Sequence, residues 1–267
     1  MLNDYKDRVA VVSGGAEGIG RALVAAFAVQ GMRTVVLDVD EPAAQRTAEE
    51  TGAAAAIACD VTDREAVADA AERARALGPI GVVWANAGVG TLGGPLAMAQ
   101  GDLDWIYGVN VAGMLNVLRA FKSDILEREG SRHVGITASV SGFTPPAPYA
   151  ATYGASKFAT IGIAEAVRAE LAETDVGVTV LCPGLVNTRI WNAVSRRPER
   201  FGGPGAMPEE VGDRWRDNGM SPDWIAEEAL ACMARGGGYC SPTDPHSRDD
   251  FEERAGAIRD SFVHPGD

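Results

Sequence analysis

The stretch Ser13–Gly20 reads SGGAEGIG and follows directly on the apolar run Val9–Ser13. The residues after it have the spacing of an amphipathic helix, so the glycines occupy a strand-to-helix turn. In such a turn Gly14 allows the chain to bend tightly, Gly18 allows the backbone to approach a pyrophosphate, and Gly20 allows the helix to pack closely on the strand. Glycine-rich runs also occur in ordinary loops, so this one needs support from the rest of the chain.

Apolar runs of strand length alternate with longer segments of helical periodicity along most of the chain. The runs are apolar on both faces, as strands of a parallel sheet are when helices cover each side. The pattern predicts strands at Val9–Ser13, Thr34–Val39, Ala54–Asp60, Ile80–Asn86, His133–Ser139, Val176–Cys182 and Gly236–Ser241. It predicts helices at Gly18–Gln30, Glu41–Glu50, Arg64–Leu77, Leu103–Glu127, Tyr153–Glu173 and Pro222–Arg235. A short last helix is predicted to end near Phe262. We therefore expect an α/β fold: a single Rossmann-like, doubly wound, three-layer domain over residues 1–267, with a parallel sheet.

The composition argues against several classes of partner. The 267 residues are 46% hydrophobic and carry a formal net charge of −13, which repels nucleic acid and anionic lipid surfaces. The sequence has neither a signal-peptide pattern nor an apolar run of membrane length, so a cytoplasmic location is expected. The cysteines lack a CxxC pair and histidines at ligand spacing, so neither a metal site nor a disulfide framework is expected. They are Cys59, Cys182, Cys232 and Cys240.

Asp38 follows Thr34–Leu37 in the second apolar run, where a parallel sheet would deliver its carboxylate beside the ribose of a bound adenosine. A carboxylate there accepts hydrogen bonds from both ribose hydroxyls and repels a 2′-phosphate, so NAD is favoured over NADP. Glu17, inside the glycine turn, adds negative charge where a phosphate-preferring site would need a base. The alternative is that each residue is an ordinary helix-capping or surface acid.

Two further predicted strands end in residues that could contact a dinucleotide at the same edge of the sheet. Asp60 and Val61 close the third apolar run, and Asn86, Ala87 and Gly88 close the fourth. Ligands of open α/β sheets bind along the carboxyl ends of the strands, so these residues are candidates for the same dinucleotide site. The alternatives are that Asp60 caps the following helix and that Asn86 only makes a turn.

A second group of residues has the pattern of acid–base chemistry. Tyr153 and Lys157 open a predicted helix four residues apart, and so lie on one face of it. A nearby cation favours the phenolate, so Lys157 is expected to lower the pKa of Tyr153 and make it a general acid or base. Ser139 ends the fifth apolar run, with Ser141 as a competing hydroxyl. Tyr149 is a competing phenol, but it has no lysine four residues later.

The chain resembles the classical short-chain dehydrogenases in a series of motifs that occur in the same order. They are SGGAEGIG at Ser13–Gly20, Asp38, Asp60–Val61, NAG at Asn86–Gly88, Asn110, Ser139, YGASK at Tyr153–Lys157 and PGLVNT at Pro183–Thr188. The resemblance covers Lys6 to about Thr188 and implies hydride transfer between a nicotinamide and an alcohol or carbonyl.

The same resemblance implies a role for each site residue. Tyr153 would transfer the substrate proton, and Ser139 would hydrogen-bond the substrate oxygen. Lys157 would hold the nicotinamide ribose, and Asn110 would order a water that links Lys157 to solvent. Alternatively, Asn110 is a hydrogen-bonded structural residue within an apolar helix. The implied cofactor residues are Gly14, Glu17, Gly18, Ile19, Gly20, Asp38, Asp60, Val61, Asn86, Ala87, Gly88, Tyr153, Lys157, Pro183, Gly184, Val186 and Thr188.

The segment Arg189–Ser221 is rich in Gly, Pro, Arg and Glu and is long for a connection, so we expect a substrate lid. With Val89–Leu96 and Val140–Tyr149 it is expected to wall an apolar pocket. The apolar side chains concerned are Leu92, Phe143, Pro145, Pro146, Tyr149, Trp191 and Met207. They favour a bulky aromatic or alicyclic secondary alcohol or ketone over a polyol, although lid aromatics can instead pack on the body or on a neighbouring subunit. Arg189, Arg196 and Arg197 are interpreted as a solvated basic cluster, with an anionic substrate group as their alternative partner.

The expected partner is thus a small-molecule alcohol or ketone, and the resemblance implies a homodimer or homotetramer. A carbonyl reductase or a polyol dehydrogenase would use the same residues. A non-catalytic dinucleotide-binding sensor is a further alternative, but it would not need Ser139, Tyr153 and Lys157 together. A dehydratase or epimerase of the longer related family is disfavoured because the chain is short.

Overall fold

A parallel β-sheet forms the centre of the protein, in a computed structural model that describes residues 2–126 and 130–263. The described strands have the order β3-β2-β1-β4-β5-β6-β7, and every pairing is parallel. The strands are β1 (Val9–Ser13), β2 (Arg33–Asp38), β3 (Ala55–Ala58), β4 (Ile80–Ala85), β5 (His133–Thr137), β6 (Gly177–Leu181) and β7 (Gly237–Cys240). The α-helices are α1 (Gly18–Val29), α2 (Glu41–Thr51), α3 (Arg64–Arg75), α4 (Gln100–Tyr107), α5 (Met114–Ala120), α6 (Lys122–Leu126), α7 (Ala151–Glu170), α8 (Glu209–Asn218), α9 (Pro222–Ala234) and α10 (His246–Arg259).

The sheet is covered by helices on both faces, as the apolar strands predict. On one face Val11 belongs to a buried cluster with Val67 and Phe121, and on the other Val12 belongs to a cluster with Phe27. The chain runs outward from β1 to β3 and then returns to β4 on the other side of β1. This reversal opens a crevice beyond the carboxyl ends of β1 and β4, where open α/β sheets bind ligands. The predicted α/β, doubly wound fold is confirmed.

The predicted elements are present, and most of their ends differ by one to three residues. The exception is the single helix predicted at Leu103–Glu127, which is wrong. The structure has α4, a π-helical turn at Gly108–Gly113, α5 and α6 there, and the predicted end, Glu127, lies outside the described residues. At the end of this turn Gly113 packs closely on Val61, since a Cβ on it would lie 2.6 Å from Cγ2 of Val61. Single π-turns of this kind are frequent at functional sites.

Residues 189–221, which we call the lid, are more regular than their composition suggests. Two 3₁₀ stretches, Arg189–Arg196 and Glu199–Phe201, precede α8. The lid returns to the body of the protein where Val186 and Met220 form an isolated parallel bridge. Within residues 2–126 and 130–263, no helix is long and apolar enough to cross a membrane.

Because His133 is buried at the start of β5, the protein is expected to lose stability at low pH. The side chain is 2% exposed, and its Nε2 lies 2.8 Å from Oγ1 of Thr179. Burial lowers the pKa of His133 from 6.5 to about 4. Between these two pH values the unfolded state therefore binds more protons at His133 than the folded state. As the pH falls from 6.5 to 4, this difference lowers the free energy of unfolding by up to about 3 kcal/mol.

We expect His133→Asn to remove this pH dependence. The free energy of unfolding of the variant should therefore fall less than that of the wild type between about pH 7 and pH 4.5. Urea unfolding at both pH values measures the difference. His246→Asn, at the exposed start of α10, is the control. Equal losses in the wild type and His133→Asn would contradict the prediction.

Candidate active site

A cleft of about 800 Å³ runs along the carboxyl edge of the sheet, beneath the lid. Every predicted cofactor residue lines this cleft except Gly20. The predicted catalytic residues Ser139, Tyr153 and Lys157 line it as well, and Asn110 does not. The structure therefore brings the glycine turn, the strand ends and the acid–base residues into one site.

The glycine turn requires glycine for two different reasons. Gly14 and Gly18 have φ angles of 63° and 54°, which side chains other than glycine rarely adopt. Gly20 has no such angle, but a Cβ on it would collide with the carbonyl group of Gly14 and approach Nδ2 of Asn86 to 2.7 Å. Gly20 thus lies beneath the turn rather than in the cleft, which explains why it does not line the site.

A hydroxyl and an amide hold this turn against β4. Oγ of Ser13 accepts hydrogen bonds from the backbone N–H groups of Asn86 (3.0 Å) and Ala87 (3.2 Å). Nδ2 of Asn86 donates to the carbonyl of Gly14 at 3.1 Å. Asn86 therefore joins two strand ends of the site, which is more than the simple turn considered as its alternative.

We expect Gly20→Ala to weaken dinucleotide binding by about tenfold or more, equal to about 1.4 kcal/mol, because the new methyl group displaces the turn. Titration with NADH, followed by its fluorescence, measures the dissociation constant. Gly162→Ala is the matched control, since it makes the same change in α7 at a position with nothing within 4 Å of the new Cβ. A Gly20→Ala protein with wild-type affinity for NADH would show that dinucleotide binding does not need the close approach of Gly20 to Gly14.

Asp38 is fixed at the end of β2 by the backbone. Its Oδ2 accepts the N–H of Ala16 at 3.1 Å, and its Oδ1 accepts the N–H of Asp40 at 3.0 Å. Burial raises the pKa of Asp38, against the opposing effects of these two hydrogen bonds and of Arg196. The cap of α2 is Asp40, which accepts the N–H of Ala43. Asp38 is therefore not a helix cap, and its carboxylate faces the cleft.

Asp60 has a comparable arrangement at the end of β3. It accepts the N–H of Thr62 at 2.9 Å and its hydroxyl at 2.7 Å, and it forms an ion pair with Arg200. Burial works to raise the pKa of Asp60, but these hydrogen bonds together hold it below its usual value. The cap of α3 is Asp63, so the capping alternative for Asp60 is wrong.

Arg189, Arg196 and Arg197 of the lid form ion pairs with acidic side chains, so they are not the purely solvated cluster that was expected. Arg189 and Arg196 bind the two carboxylate oxygens of Glu17 at 2.8 and 3.1 Å. Arg197 is 14% exposed in its side chain and pairs with Asp102 of α4. These ion pairs form because the lid brings its arginines next to Glu17 and Asp102. Glu17 consequently adds less negative charge to the turn than the sequence suggested.

Tyr153 and Lys157 lie near the start of α7, as the four-residue spacing predicts. Nζ of Lys157 is 5.6 Å from the centre of the Tyr153 ring and donates to the carbonyl of Thr137 at 3.2 Å. The Ser139 hydroxyl is close enough to the Tyr153 phenol to act on its pKa, and it donates to the carbonyl of Pro183 at 3.4 Å. Ser141 instead donates its backbone N–H to Ser139 at 3.2 Å. The geometry therefore favours Ser139 over Ser141 as the hydroxyl of the site.

The pKa of Tyr153 is raised rather than lowered, contrary to the expectation from its spacing to Lys157. Burial raises the pKa of Tyr153 to about 12, and the opposing hydrogen bond to Ser139 is smaller. Tyr153 is partly exposed and lines the cleft. Lys157 is 3% exposed, and burial lowers its pKa to about 8. Desolvation, which no sequence pattern reports, is the larger effect on both groups.

Asn110 lies in the π-helical turn and is 2% exposed. Its Oδ1 accepts the N–H of Val89 at 2.8 Å, and its Nδ2 donates to the carbonyl of Val89 and to Oγ of Ser156, both at 3.0 Å. The side chain therefore ties the wall of the cleft to α7. These contacts agree with the structural alternative considered for Asn110, and a role in water ordering stays a prediction.

The apolar end of the cleft differs in part from the residues expected there. Leu92, Pro146 and Tyr149 line the cleft, whereas Phe143, Pro145, Trp191 and Met207 do not. Phe143 stacks edge-on against Phe251 of α10, Trp191 packs on Gly212 of α8, and Met207 packs on the core. Further aromatic and aliphatic side chains line the cleft, although no sequence pattern assigned them to it. They are Trp105, Val109, Phe201, Val211 and Trp215.

A doubly wound parallel sheet with a glycine turn, a carboxylate at the end of β2 and a Ser-Tyr-Lys group in one cleft is the arrangement of a dinucleotide-dependent oxidoreductase. The family model described as short chain dehydrogenase matches residues 8–199. The chain belongs to the short-chain dehydrogenase family, whose members act on hydroxyl and ketone groups.

Similar proteins support this placement. The chain is 41% identical to 1-deoxy-11-beta-hydroxypentalenate dehydrogenase of Streptomyces exfoliatus, over 76% of each protein. It is 35% identical to Probable oxidoreductase EphD of Mycobacterium tuberculosis over 86% of this chain, which spans only 40% of that longer protein. A short chain dehydrogenase/reductase from Burkholderia phymatum, solved in complex with NAD, superposes with a TM-score of 0.89 at 29% identity, covering 99% of both chains.

Proposed function

We propose that this protein is an NAD-dependent dehydrogenase or reductase that interconverts a bulky, apolar secondary alcohol and its ketone. The observation that carries the proposal is the grouping of Ser139, Tyr153 and Lys157 in the same cleft as the glycine turn. A nicotinamide dinucleotide, when bound, supplies or accepts the hydride. The glycine turn fits such a group because side chains are excluded where its phosphates would approach.

Tyr153 is the proposed proton donor and acceptor. Its pKa of about 12 keeps the phenol protonated near neutral pH, which suits donation to the oxygen of a ketone. Ser139, 6% exposed, supplies a second hydrogen-bond donor for the same oxygen. In the direction of alcohol oxidation Tyr153 must lose its proton, and the Ser139 hydroxyl and the Lys157 ammonium favour the resulting phenolate.

NAD is the proposed cofactor because Asp38 faces the cleft with a carboxylate held by two backbone N–H groups. Hydroxyl groups of a ribose can donate to the remaining lone pairs of this carboxylate, while a 2′-phosphate would meet a like charge. Glu17 gives little further support, since Arg189 and Arg196 offset its charge.

The proposed substrate class follows from the apolar side chains that line the cleft. Leu92, Trp105, Val109 and Trp215 offer mainly apolar surface, whereas a polyol would need several hydrogen-bonding partners there. A bulky ring system buries apolar area against these side chains and leaves one oxygen for Ser139 and Tyr153. The polyol dehydrogenase therefore becomes the weaker of the two alternatives.

Rates with matched alcohols and ketones test this function. Aromatic and alicyclic secondary alcohols with NAD, and the corresponding ketones with NADH, are compared with polyols by the absorbance of the reduced nicotinamide. Faster turnover of the ring compounds is expected. Faster turnover of polyols would contradict the substrate class, and faster turnover with NADPH than with NADH would contradict the cofactor. Tight NADH binding without turnover of any compound would support the sensor instead.

A further inference from the structure

We propose that Arg196 of the lid is a residue that determines cofactor specificity: it is positioned to bind the 2′-phosphate of NADP, and the carboxylate of Asp38 prevents it from doing so. The inference rests on the NAD preference proposed above. It concerns a guanidinium that reaches the adenosine end of the cleft from the lid, far along the chain from the glycine turn and from β2.

The position of Arg196 is the first support. Its Nη2 lies 3.1 Å from Oε2 of Glu17, and its Nη1 lies 3.7 Å from Oδ2 of Asp40. It lines the same cleft as Asp38 and Val39, and its attraction acts to lower the pKa of Asp38. The guanidinium therefore lies within electrostatic range of the carboxylate that is expected to meet the adenosine ribose.

The surroundings of Asp38 are the second support. Its carboxylate is an anion held by two converging backbone donors, the N–H groups of Ala16 and Asp40. If the carboxylate is removed, both donors lose their side-chain partner while Arg196 stays close by. Two backbone N–H groups and a guanidinium are the groups that proteins use to bind phosphate. The site is therefore an anion site that the protein fills with its own side chain.

The ion pairs of Arg196 do not prevent this use. Its side chain is 38% exposed, and Glu17 and Asp40 are 27% and 30% exposed. Ion pairs that contact solvent contribute little, whereas a phosphate near neutral pH carries more charge than a carboxylate and accepts two parallel bonds from arginine. A 2′-phosphate can therefore compete for the guanidinium once the charge of Asp38 is gone.

Equilibrium binding of NADPH and NADH to the full chain tests the proposal without relying on turnover. The proteins are the wild type, Asp38→Ala, Arg196→Gln, and Asp38→Ala combined with either Arg196→Gln or Arg189→Gln. Calorimetric titration gives the dissociation constants, and thermal unfolding verifies that each variant is folded. Adenosine 2′,5′-bisphosphate serves as a probe that lacks the nicotinamide.

We expect Asp38→Ala to bind NADPH and the bisphosphate at least about tenfold more tightly than the wild type, because a hydrogen bond to a charged group contributes a factor of roughly ten or more. Adding Arg196→Gln should remove most of this gain. Adding Arg189→Gln should keep it, because the ion-pair partner of Arg189 is Glu17 alone among the described residues. In an otherwise wild-type chain, Arg196→Gln should change NADH affinity by less than about threefold.

Two results would overturn the inference: an Asp38→Ala protein with no gain in NADPH affinity, or a gain that survives Arg196→Gln. The proposed NAD preference fails in a different way, through a wild type that binds NADPH as tightly as NADH. In that case, a loss of NADPH affinity in Arg196→Gln alone would still support Arg196 as the phosphate ligand. No such loss would refute both proposals.

Discussion

Tyr153→Phe is expected to reduce turnover by at least about a thousandfold while the affinity for NADH changes by less than about threefold. The substitution removes only the hydroxyl, and the ring stays in place between Ser139 and Lys157. Loss of the hydroxyl leaves the substrate oxygen without its proton donor. Steady-state rates with a ketone and NADH, together with NADH titration, measure the two quantities separately.

The matched control is Tyr149→Phe, which makes the same change at a phenol whose side chain is exposed at the mouth of the cleft. Its turnover should stay close to that of the wild type. If Tyr153→Phe retained more than a few per cent of the wild-type rate, another group would have to transfer the proton, and the assignment would be wrong.

Lys157→Met is expected to lower activity and raise stability at the same time. The wild-type side chain is 3% exposed, and burial lowers its pKa from 10.5 to about 8, so the folded state holds a desolvated ammonium at neutral pH. This costs about 3 kcal/mol relative to the unfolded chain. Methionine avoids that cost but loses the hydrogen bond to Thr137, which offsets about 1 kcal/mol. We expect a net gain of about 2 kcal/mol at pH 7 and a loss of turnover on the order of a hundredfold.

The pH dependence identifies the cause of this gain. Between pH 8 and pH 10.5 the unfolded wild type binds more protons at Lys157 than the folded one, so the wild type gains stability relative to the variant as the pH rises through this range. Urea unfolding near pH 7 and pH 10 should show the advantage of Lys157→Met shrinking. Lys122→Met, at an exposed position of α6, is the control. A variant less stable than the wild type at pH 7 would contradict the desolvation argument.

The sequence predicted the parts of this site that depend on short-range spacing. A turn between a strand and a helix, an acid at the end of a strand, and a tyrosine and a lysine four residues apart are all local patterns, and the sheet then gathers them at one edge. Asp38, Tyr153 and Lys157 lie where these patterns place them.

What the sequence could not predict depends on contacts between distant segments. The partners of Arg189, Arg196 and Arg197 lie between 95 and 179 residues away along the chain. The exchange of Trp191 for Trp215 in the wall of the cleft depends on how α8 packs, and nothing in the composition of the lid distinguishes the two tryptophans. The pKa of Tyr153 was mispredicted for the same reason, since burial is a property of the assembled fold.

The π-helical turn at Gly108–Gly113 has a consequence for how this chain can change in length. Each residue of an α-helix advances the backbone by about 100° around the axis, so one additional residue in a turn sets the rotational phase between the helices on either side. Trp105 in α4 lines the cleft, whereas Val117 in α5 is part of the core. Deleting one residue here would rotate one helix by more than a quarter turn, and either Trp105 or Val117 would leave its place. Insertions and deletions are therefore not expected to be tolerated within this turn.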